Sequence, residues 1–337
     1  MAQALANAGG GPPGGDDDDA DLIEGRVRPQ HYLSAHLSRL ERRLLLHDLR
    51  ALGGAGKPLL AQLRSQSGPG ALAWLDVPPG TALTMTPTAA ITMALVALFV
   101  DPWRVSGDTC PFRCSAAARP TCVHVFGCSL QPMRGQVAVH EAHKRCLQGL
   151  LRSCGAPYFL NEDRGESAFD GDRADTVVLP GTLALCGDAD VARKGVVLDN
   201  RVCAPTAAKF LAPVTANAAL FSGFAARVAE REKRSRYGGH YDSARYVFVP
   251  FIQECYGRLG PAARAFIALL AAHSAARLGG SEQAVLRRRG VERRRIVVTL
   301  SATLAREEAE RVLAYVRNAQ LCGRTVAPVS ALLVGAR

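Results

Sequence analysis

The sequence contains no long hydrophobic run. Its longest apolar stretch, around Ala89–Val100, is too short to span a bilayer and ends at Asp101-Pro102. The N-terminus is rich in glycine, proline and aspartate instead of having a basic start and an apolar run, so we expect no secretory signal. These two absences predict a soluble, intracellular protein whose thiols stay reduced.

Lysine and aromatic residues are both scarce. Only five of the 41 basic residues are lysines, and aromatic residues make up 6% of the 337 positions. We interpret the preference for arginine over lysine first as an effect of codon composition and second as a chemical requirement for arginine. Hydrophobic residues nevertheless amount to 48% and charged residues to 21%, which excludes a wholly disordered chain. The length suits two average domains, or one large domain with extensions.

Charge is distributed unevenly along a chain of net charge +11. Residues 1–21 hold five aspartates and no basic residue, whereas residues 285–337 hold 11 arginines and four glutamates. A basic end favours a polyanionic partner such as nucleic acid. A solvated helix surface explains the same pattern equally well.

Hydrophobic periodicity predicts helices and strands in alternation, and therefore an α/β fold with one mixed sheet flanked by helices. The regions are an acidic, disordered tail (1–21), a helical linker (22–109), a cysteine-rich segment (110–128), an α/β domain (129–278) and a basic helical tail (279–337). Helices are predicted within 22–52 and over Leu59–Arg64, Thr84–Val100, Val137–Cys154, Ala216–Tyr241, Pro261–Leu278 and Ser301–Arg317. Strands are predicted over Tyr158–Asn161, Ala174–Leu179, Gly195–Cys203 and Tyr246–Ile252.

The cysteine-rich segment has the composition of a zinc site. Cys110, Cys114, His124 and Cys128 can supply four soft or borderline ligands, and Cys122 is a spare thiol that could replace one of them. In a reducing compartment, clustered cysteines indicate metal more than disulfides. The alternative is a group of buried free cysteines beside a surface histidine.

Two aspartates lie in separate apolar runs. Asp175 opens one run and Asp199 lies inside the next. Carboxylates delivered from adjacent strands, with a cation nearby, can hold Mg²⁺ for phosphodiester hydrolysis. Lys233 and Arg236 could supply that cation from the following helix. The alternatives are turn or capping aspartates and a solvated basic helix end.

The order of these motifs resembles the C-terminal region of LINE-type retroelement proteins. In that family a CCHC zinc knuckle precedes a restriction-endonuclease-like domain of the PD-(D/E)xK type. The likeness covers residues 60–320 and is most specific at 110–128, 173–202 and 230–260. It implies a knuckle at 110–128 and a restriction-endonuclease-like core at 129–278.

The resemblance also implies roles for particular residues. Cys110, Cys114, His124 and Cys128 match the knuckle ligands, and Arg173, Asp175, Asp199 and Lys233 match the catalytic set. Glu254 matches the acid that follows the last strand of the motif. Implied nucleic-acid contacts, together with those drawn from the basic tail, are His140, Lys144, Arg145, Arg236, Tyr237, Arg287, Arg288, Arg289, Arg293, Arg294 and Arg295.

The chain departs from the family pattern at several positions. Ala174 stands where the family has proline, and Val139 and Glu141 replace the arginine and asparagine that flank the motif histidine. The segment between the two aspartates is longer than usual, and the sequence has no paired-aspartate loop of a reverse transcriptase. The chain is therefore similar to a detached or domesticated remnant of such an element, or to a partial gene model of one.

The sequence predicts a Mg²⁺-dependent DNA endonuclease with a structural zinc. Its expected partner is nucleic acid, with duplex DNA favoured over RNA. A reverse transcriptase acting in trans is a further expected partner, and the expected location is the nucleus. The alternative is a non-catalytic, zinc-dependent nucleic-acid-binding module on the same fold, and a third is an expressed relic without selected function.

Overall fold

The computed structural model describes residues 29–77, 80–98, 103–105, 110, 122–128, 134–159, 175–213 and 216–328. The predicted acidic tail, 1–21, lies outside these residues. The helices are α1 (Pro29–Ala51), α2 (Lys57–Gln66), α3 (Pro87–Ala97), α4 (Cys122–Gly127), α5 (Arg134–Ser153), α6 (Ala189–Arg193), α7 (Ala208–Leu211), α8 (Phe224–Tyr237), α9 (Pro261–Arg277) and α10 (Glu282–Leu321). The strands are β1 (Trp103–Val105), β2 (Tyr158–Phe159), β3 (Thr176–Val178), β4 (Gly195–Cys203), β5 (Tyr246–Glu254) and β6 (Val326–Pro328).

A four-stranded mixed sheet of order β2-β3-β4-β5 organises the α/β part of the chain. The pairs β2–β3 and β3–β4 are antiparallel, whereas β4 and β5 run parallel over nine residue pairs from Gly195–Tyr246 to Cys203–Glu254. Parallel pairing requires a crossover connection, and α8 lies within it. A second, two-stranded antiparallel sheet joins β1 to β6.

Both faces of the sheet are covered because side chains alternate along each strand. Val196, Leu198, Val249 and Phe251 pack into a core cluster with residues of α5, α9 and α10. On the other face, Val197 and Phe248 pack with Tyr237 of α8, while Cys203 and Ile252 pack with the alanines of that helix. Burial on both faces explains why β4 is apolar over residues 195–198 and β5 over residues 246–252.

Helix α10 is 40 residues long and is part of the core. Ile296 and Leu300 are fully buried in the main cluster, and Ala302, Ala305 and Ala309 pack against Trp74 and α3. The sequence predicted a helix over Ser301–Arg317 only, and the structure extends it towards the N-terminus to Glu282, through Gly290. A glycine costs a helix about 1 kcal/mol, which the buried second half of α10 easily offsets.

Most other elements agree with the sequence patterns. The bounds of β4 are those predicted, and α9 ends one residue earlier than expected. Helix α3 is shorter than Thr84–Val100 because Thr86 caps it, its side chain accepting a hydrogen bond from the Ala89 amide. The prediction of a helix from Ala216 was wrong: α8 begins after Gly223, which has a left-handed φ of 65°. Among the described residues, no helix is both long enough and apolar enough to cross a membrane.

Candidate functional site

Asp175 and Asp199 are neighbours across the sheet. The antiparallel register pairs Thr176 with Leu198, so its extension by one residue places Asp175 opposite Asp199. Residues opposite each other in an antiparallel pair point to the same face. The Asn200 amide donates a hydrogen bond to Asp175 Oδ2 at 2.7 Å, which fixes this carboxylate at the start of β3. The structure therefore brings the two predicted metal carboxylates together.

Helix α8 adds the predicted lysine to this pair. Lys233 Nζ lies 2.6 Å from Asp199 Oδ2, and the Asp199 side chain is only 7% exposed. Burial raises the pKa of Asp199 to about 6; Lys233 opposes this effect and the neighbouring Asp175 adds to it. The carboxylate is thus poorly solvated and in electrostatic contact with both its neighbours.

His140 contacts the other carboxylate. Its Nε2 atom lies 3.3 Å from Asp175 Oδ1, although His140 comes from α5. The hydrogen bond to Asp175 raises the pKa of His140. Burial acts to raise the pKa of Asp175, but the bond and charge of His140, with the Asn200 amide, outweigh it and the pKa is lowered. The sequence predicted a nucleic-acid contact for His140 but not this pairing, because no spacing in the sequence relates α5 to β3.

Two further residues assigned to nucleic acid lie below the surface. Lys144 is 8% exposed and donates a hydrogen bond to Glu141 at 2.9 Å, so its charge is already paired inside the fold. Tyr237 is 6% exposed and packs on Phe248, with the Lys233 ammonium 5.3 Å from its ring centre. Both side chains are therefore largely covered within the fold, and their assignment to nucleic acid stays a prediction. Arg236 stacks beside Tyr237, and Arg145 is exposed on α5.

Glu254 does not lie with the aspartate pair. It ends β5, four residues beyond Pro250, which pairs with Asp199, and this is about 13 Å along the strand. Its buried carboxylate accepts a hydrogen bond from the Ala226 amide at the start of α8, and burial raises its pKa. Glu254 therefore anchors the helix that carries Lys233.

The six arginines of the basic segment lie along the first half of α10. Arg287, Arg289 and Arg293 are exposed. Arg288 donates a hydrogen bond to the Gly279 carbonyl, Arg294 pairs with Asp76, and Arg295 pairs with Glu292. Four of the six arginines are therefore exposed, and three of these four, Arg287, Arg289 and Arg293, are separate from the ion pair that Arg294 makes with Asp76 at the surface.

Three of the four predicted zinc ligands converge. The ligand atoms of Cys110, His124 and Cys128 all lie within 4.8 Å of one another, and the two sulfur atoms are 3.7 Å apart. Two thiolates on one tetrahedral zinc, each at about 2.3 Å from it, lie about 3.8 Å apart, so the spacing fits the metal. Cys114 and Arg173 lie outside the described residues, as does the side chain of Cys122.

The cysteine segment is packed into the fold. Val125 and Phe126 are buried beside Val312 and Tyr315 of α10, and the Phe126 ring meets Tyr256 edge to face at 5.3 Å. Arg311 donates a hydrogen bond to the Phe126 carbonyl at 3.2 Å. A metal bound here would therefore stabilise the contact between the cysteine segment and α10.

Sequence analysis missed the buried acid that accompanies Arg311. Glu308 is fully buried, and its Oε2 atom lies 3.4 Å from the Arg311 guanidinium. The signal was present as a Glu-x-x-Arg pair one helical turn apart on the apolar side of α10. The thiol of Cys255, which follows β5 directly, is buried, and burial raises its pKa well above the usual value. A thiol in such surroundings is a poor nucleophile.

Comparison of the chain with models of protein families, with curated proteins and with solved structures returned no match.

Proposed function

We propose that this chain is a divalent-metal-dependent DNA endonuclease with the zinc-knuckle and restriction-endonuclease-like arrangement of LINE-type retroelements. The observation that carries the proposal is the meeting of Asp175, Asp199 and Lys233 on one face of the sheet. Two carboxylates and a cation on neighbouring elements are the set of groups that metal-assisted phosphodiester hydrolysis requires. Duplex DNA, a nuclear location and a reverse transcriptase acting in trans belong to the same proposal.

The carboxylates fit a hard cation. Asp175 and Asp199 offer oxygen ligands from adjacent strands, and a divalent ion between them would stabilise two partly buried negative charges. A Mg²⁺ ion held by them would supply charge neutralisation and a water of lowered pKa.

The protein side chains have separate tasks in this proposal. Lys233 places a positive charge beside Asp199, where it would stabilise the charge that develops on a scissile phosphate. His140 positions Asp175 from the side of α5, with its Nε2 atom 3.3 Å from Asp175 Oδ1, and the hydrogen bond between them raises the pKa of His140. The Asn200 amide keeps Asp175 in position. Zinc at Cys110, His124 and Cys128 would be structural, with Cys114 as the predicted fourth ligand.

A second function is favoured by one observation. Lys233 Nζ lies 2.6 Å from Asp199 and His140 Nε2 lies 3.3 Å from Asp175, so each carboxylate already has a partner within the fold. Carboxylates that are partnered in this way suit a degenerate nuclease that only binds nucleic acid. The zinc segment and the exposed arginines of α10 would then carry the function.

A supercoiled-plasmid assay distinguishes the two functions. The protein is incubated with plasmid in Mg²⁺, in Mn²⁺ or in EDTA, and nicked circles are measured beside an electrophoretic binding assay. The endonuclease proposal predicts nicking that requires the divalent ion and is lost on Asp199→Asn while binding remains. Binding without nicking in either metal ion would favour the binding module.

A further inference from the structure

A cavity of about 390 Å³ lies next to the aspartate pair. Its walls come from α4, the first turns of α5, the end of β4, α7 and α10. The buried side chains of Phe126, Val139, Cys203 and Phe210 make most of its surface apolar. Pockets of this size accommodate small organic groups, with a few polar atoms that fix their orientation.

One polar atom of the lining lacks a partner. Glu308 lines the cavity and is fully buried, and among the described residues none donates a hydrogen bond to its Oε1 atom. Its Oε2 atom faces Arg311 at 3.4 Å, which fixes the orientation of the carboxyl group. A buried acceptor without a donor destabilises the fold, because it has lost its hydrogen bonds to water and gained none in return. The cavity is therefore suited to a ligand that brings an N–H group.

The rim of the cavity is cationic. Arg201 and Lys209 both belong to the lining, and both pair with the exposed Glu232. An arginine has five N–H donors and a lysine has three, so each retains donors for an anion. The cavity thus combines an apolar wall, an acceptor at its base and a positive edge.

The cavity also adjoins the proposed cleavage site. His140 lines it and at the same time contacts Asp175. Arg201 is two residues beyond Asp199 on the same face of β4, about 7 Å along the strand. If a nucleic-acid strand were bound with a phosphate at the two aspartates, its neighbouring nucleotide would lie at the mouth of the cavity.

We propose that this cavity takes one unstacked nucleotide of the bound strand, with an amino-bearing base against Glu308 and its phosphate at Arg201 and Lys209. This inference rests on the proposed function, since the occupant is part of the nucleic acid. Enzymes that act on nucleic acid hold extruded bases in this kind of pocket, by apolar contact and hydrogen bonds to the base edge. A carboxylate that accepts from the cytosine 4-amino group is an established form of base recognition. We therefore assign the cavity to cytosine before uracil.

Binding of the nucleotides dCMP and dUMP tests this without added Mg²⁺ and without a chelator, so that any zinc at Cys110, His124 and Cys128 stays in place. Neither nucleotide has a phosphodiester bond that could be cleaved. The two differ at position 4, which is amino in dCMP and oxo in dUMP, and at N3, which is a bare acceptor in dCMP and an N–H group in dUMP. Because the 4-oxo group of dUMP would bring a second acceptor against the Glu308 carboxylate, we expect wild-type protein to bind dCMP about tenfold more tightly. Glu308→Gln should reverse the preference, because Arg311 holds the amide oxygen and turns the NH₂ group towards the 4-oxo group of uracil. Equal affinity for both nucleotides, or an unchanged preference in the glutamine variant, would overturn the proposal.

A second pair of variants tests the cavity independently, in case Glu308→Gln does not fold. Val137 is 50% exposed at the mouth of the cavity, so Val137→Trp should block dCMP binding without disturbing the core. Val291→Trp is the matched control, since Val291 is 66% exposed on α10 and is not among the lining residues. Undiminished dCMP binding by Val137→Trp would overturn the cavity assignment. Preferential dCMP binding by a protein that does not nick DNA would support the nucleotide-binding cavity and contradict only the proposed endonuclease activity.

Discussion

Lys233 Nζ lies 2.6 Å from Asp199 Oδ2, although the two residues belong to different elements, α8 and β4. The contact follows from topology. Strands β4 and β5 are parallel, and α8 in the connection between them covers the sheet face on which Asp199 lies. A lysine one turn before the end of that helix can therefore reach a carboxylate in the middle of the strand. The cation of the site is supplied by the crossover helix.

The first prediction concerns this contact. Lys233→Met removes the charge beside Asp199 and should slow metal-dependent nicking about 100-fold or more, the effect of losing one electrostatic donor in a transition state. Lys233→Arg should retain part of the rate. Lys57→Met, on the exposed start of α2, is the control for loss of a lysine. Single-turnover nicking rates measure the effect, and an unchanged rate in Lys233→Met contradicts it.

The meeting of Asp175, Asp199 and Lys233 was predictable from the sequence to a useful degree. Each aspartate opens or interrupts an apolar run, and the basic end of α8 follows them. Alternation of side chains then requires only that the two strands be neighbours. The partner of Asp175 was not predictable, because His140 reaches it from α5 through a contact that only the packing of α5 against the sheet creates.

Zinc should stabilise the packed structure as well as the cysteine segment. Cys128→Ser removes one of three converging ligands at a site that packs on α10, so we expect loss of bound zinc. Unfolding should become easier by about 2 kcal/mol or more, since removal of a metal ligand from a packed site is among the severe substitutions. Cys322→Ser, at an exposed free thiol, should change neither quantity.

Elemental analysis and thermal unfolding provide the two measurements. Wild-type protein with less than about half an equivalent of zinc would contradict the site. A normal unfolding temperature in a zinc-free Cys128→Ser protein would show instead that the contact of Phe126 with Tyr256 and Arg311 is stable without metal.

A buried glutamate makes stability depend on pH. Glu230 accepts a hydrogen bond from the Ala262 amide at the start of α9, and burial raises its pKa from 4.5 to about 7. The unfolded chain releases this proton at lower pH than the folded one, so stability falls as pH rises from about 4.5 to 7 and then levels off. A shift of this size corresponds to about 3 kcal/mol.

Glu230→Gln keeps the acceptor and removes the titration. Relative to wild type, its free energy of unfolding should therefore rise between pH 4.5 and 7.5, by an amount of the order of that figure. Glu41→Gln, at an exposed position of α1, is the control and should leave the pH profile unchanged. Parallel wild-type and Glu230→Gln profiles in urea unfolding would contradict the prediction.

The long basic helix could not be delimited from the sequence. Its two arginine triplets surround a glycine, and local propensity favours an interruption there. What overrides propensity is the burial of Ile296 and Leu300 against the sheet layer, which depends on contacts with α5 and α9 remote in sequence. The same distant packing decides which of the arginines remain exposed.

The exposed arginines of α10 should govern the salt dependence of DNA binding. Changing Arg287, Arg289 and Arg293 together to glutamine should flatten the slope of log affinity against log salt by about 2–3 units, if each contacts one phosphate. Arg43→Gln with Arg50→Gln, exposed on α1, provides a comparison of similar charge loss. Fluorescence anisotropy over a range of salt concentrations measures the slopes. Equal slopes for the wild-type and triple-variant proteins would show that these arginines only keep the surface soluble.

The most direct test of the proposed endonuclease is a double-mutant cycle on the aspartate pair. Asp175→Asn, Asp199→Asn and the double variant are compared with wild type for Mg²⁺-dependent nicking and for DNA binding, with Asp190→Asn on α6 as control. If the carboxylates hold one ion together, each single change should reduce the nicking rate about 100-fold or more, and the double change should cost little further, while affinity for DNA is retained. Wild-type protein that nicks no DNA, or single variants that keep the wild-type rate, would contradict the account.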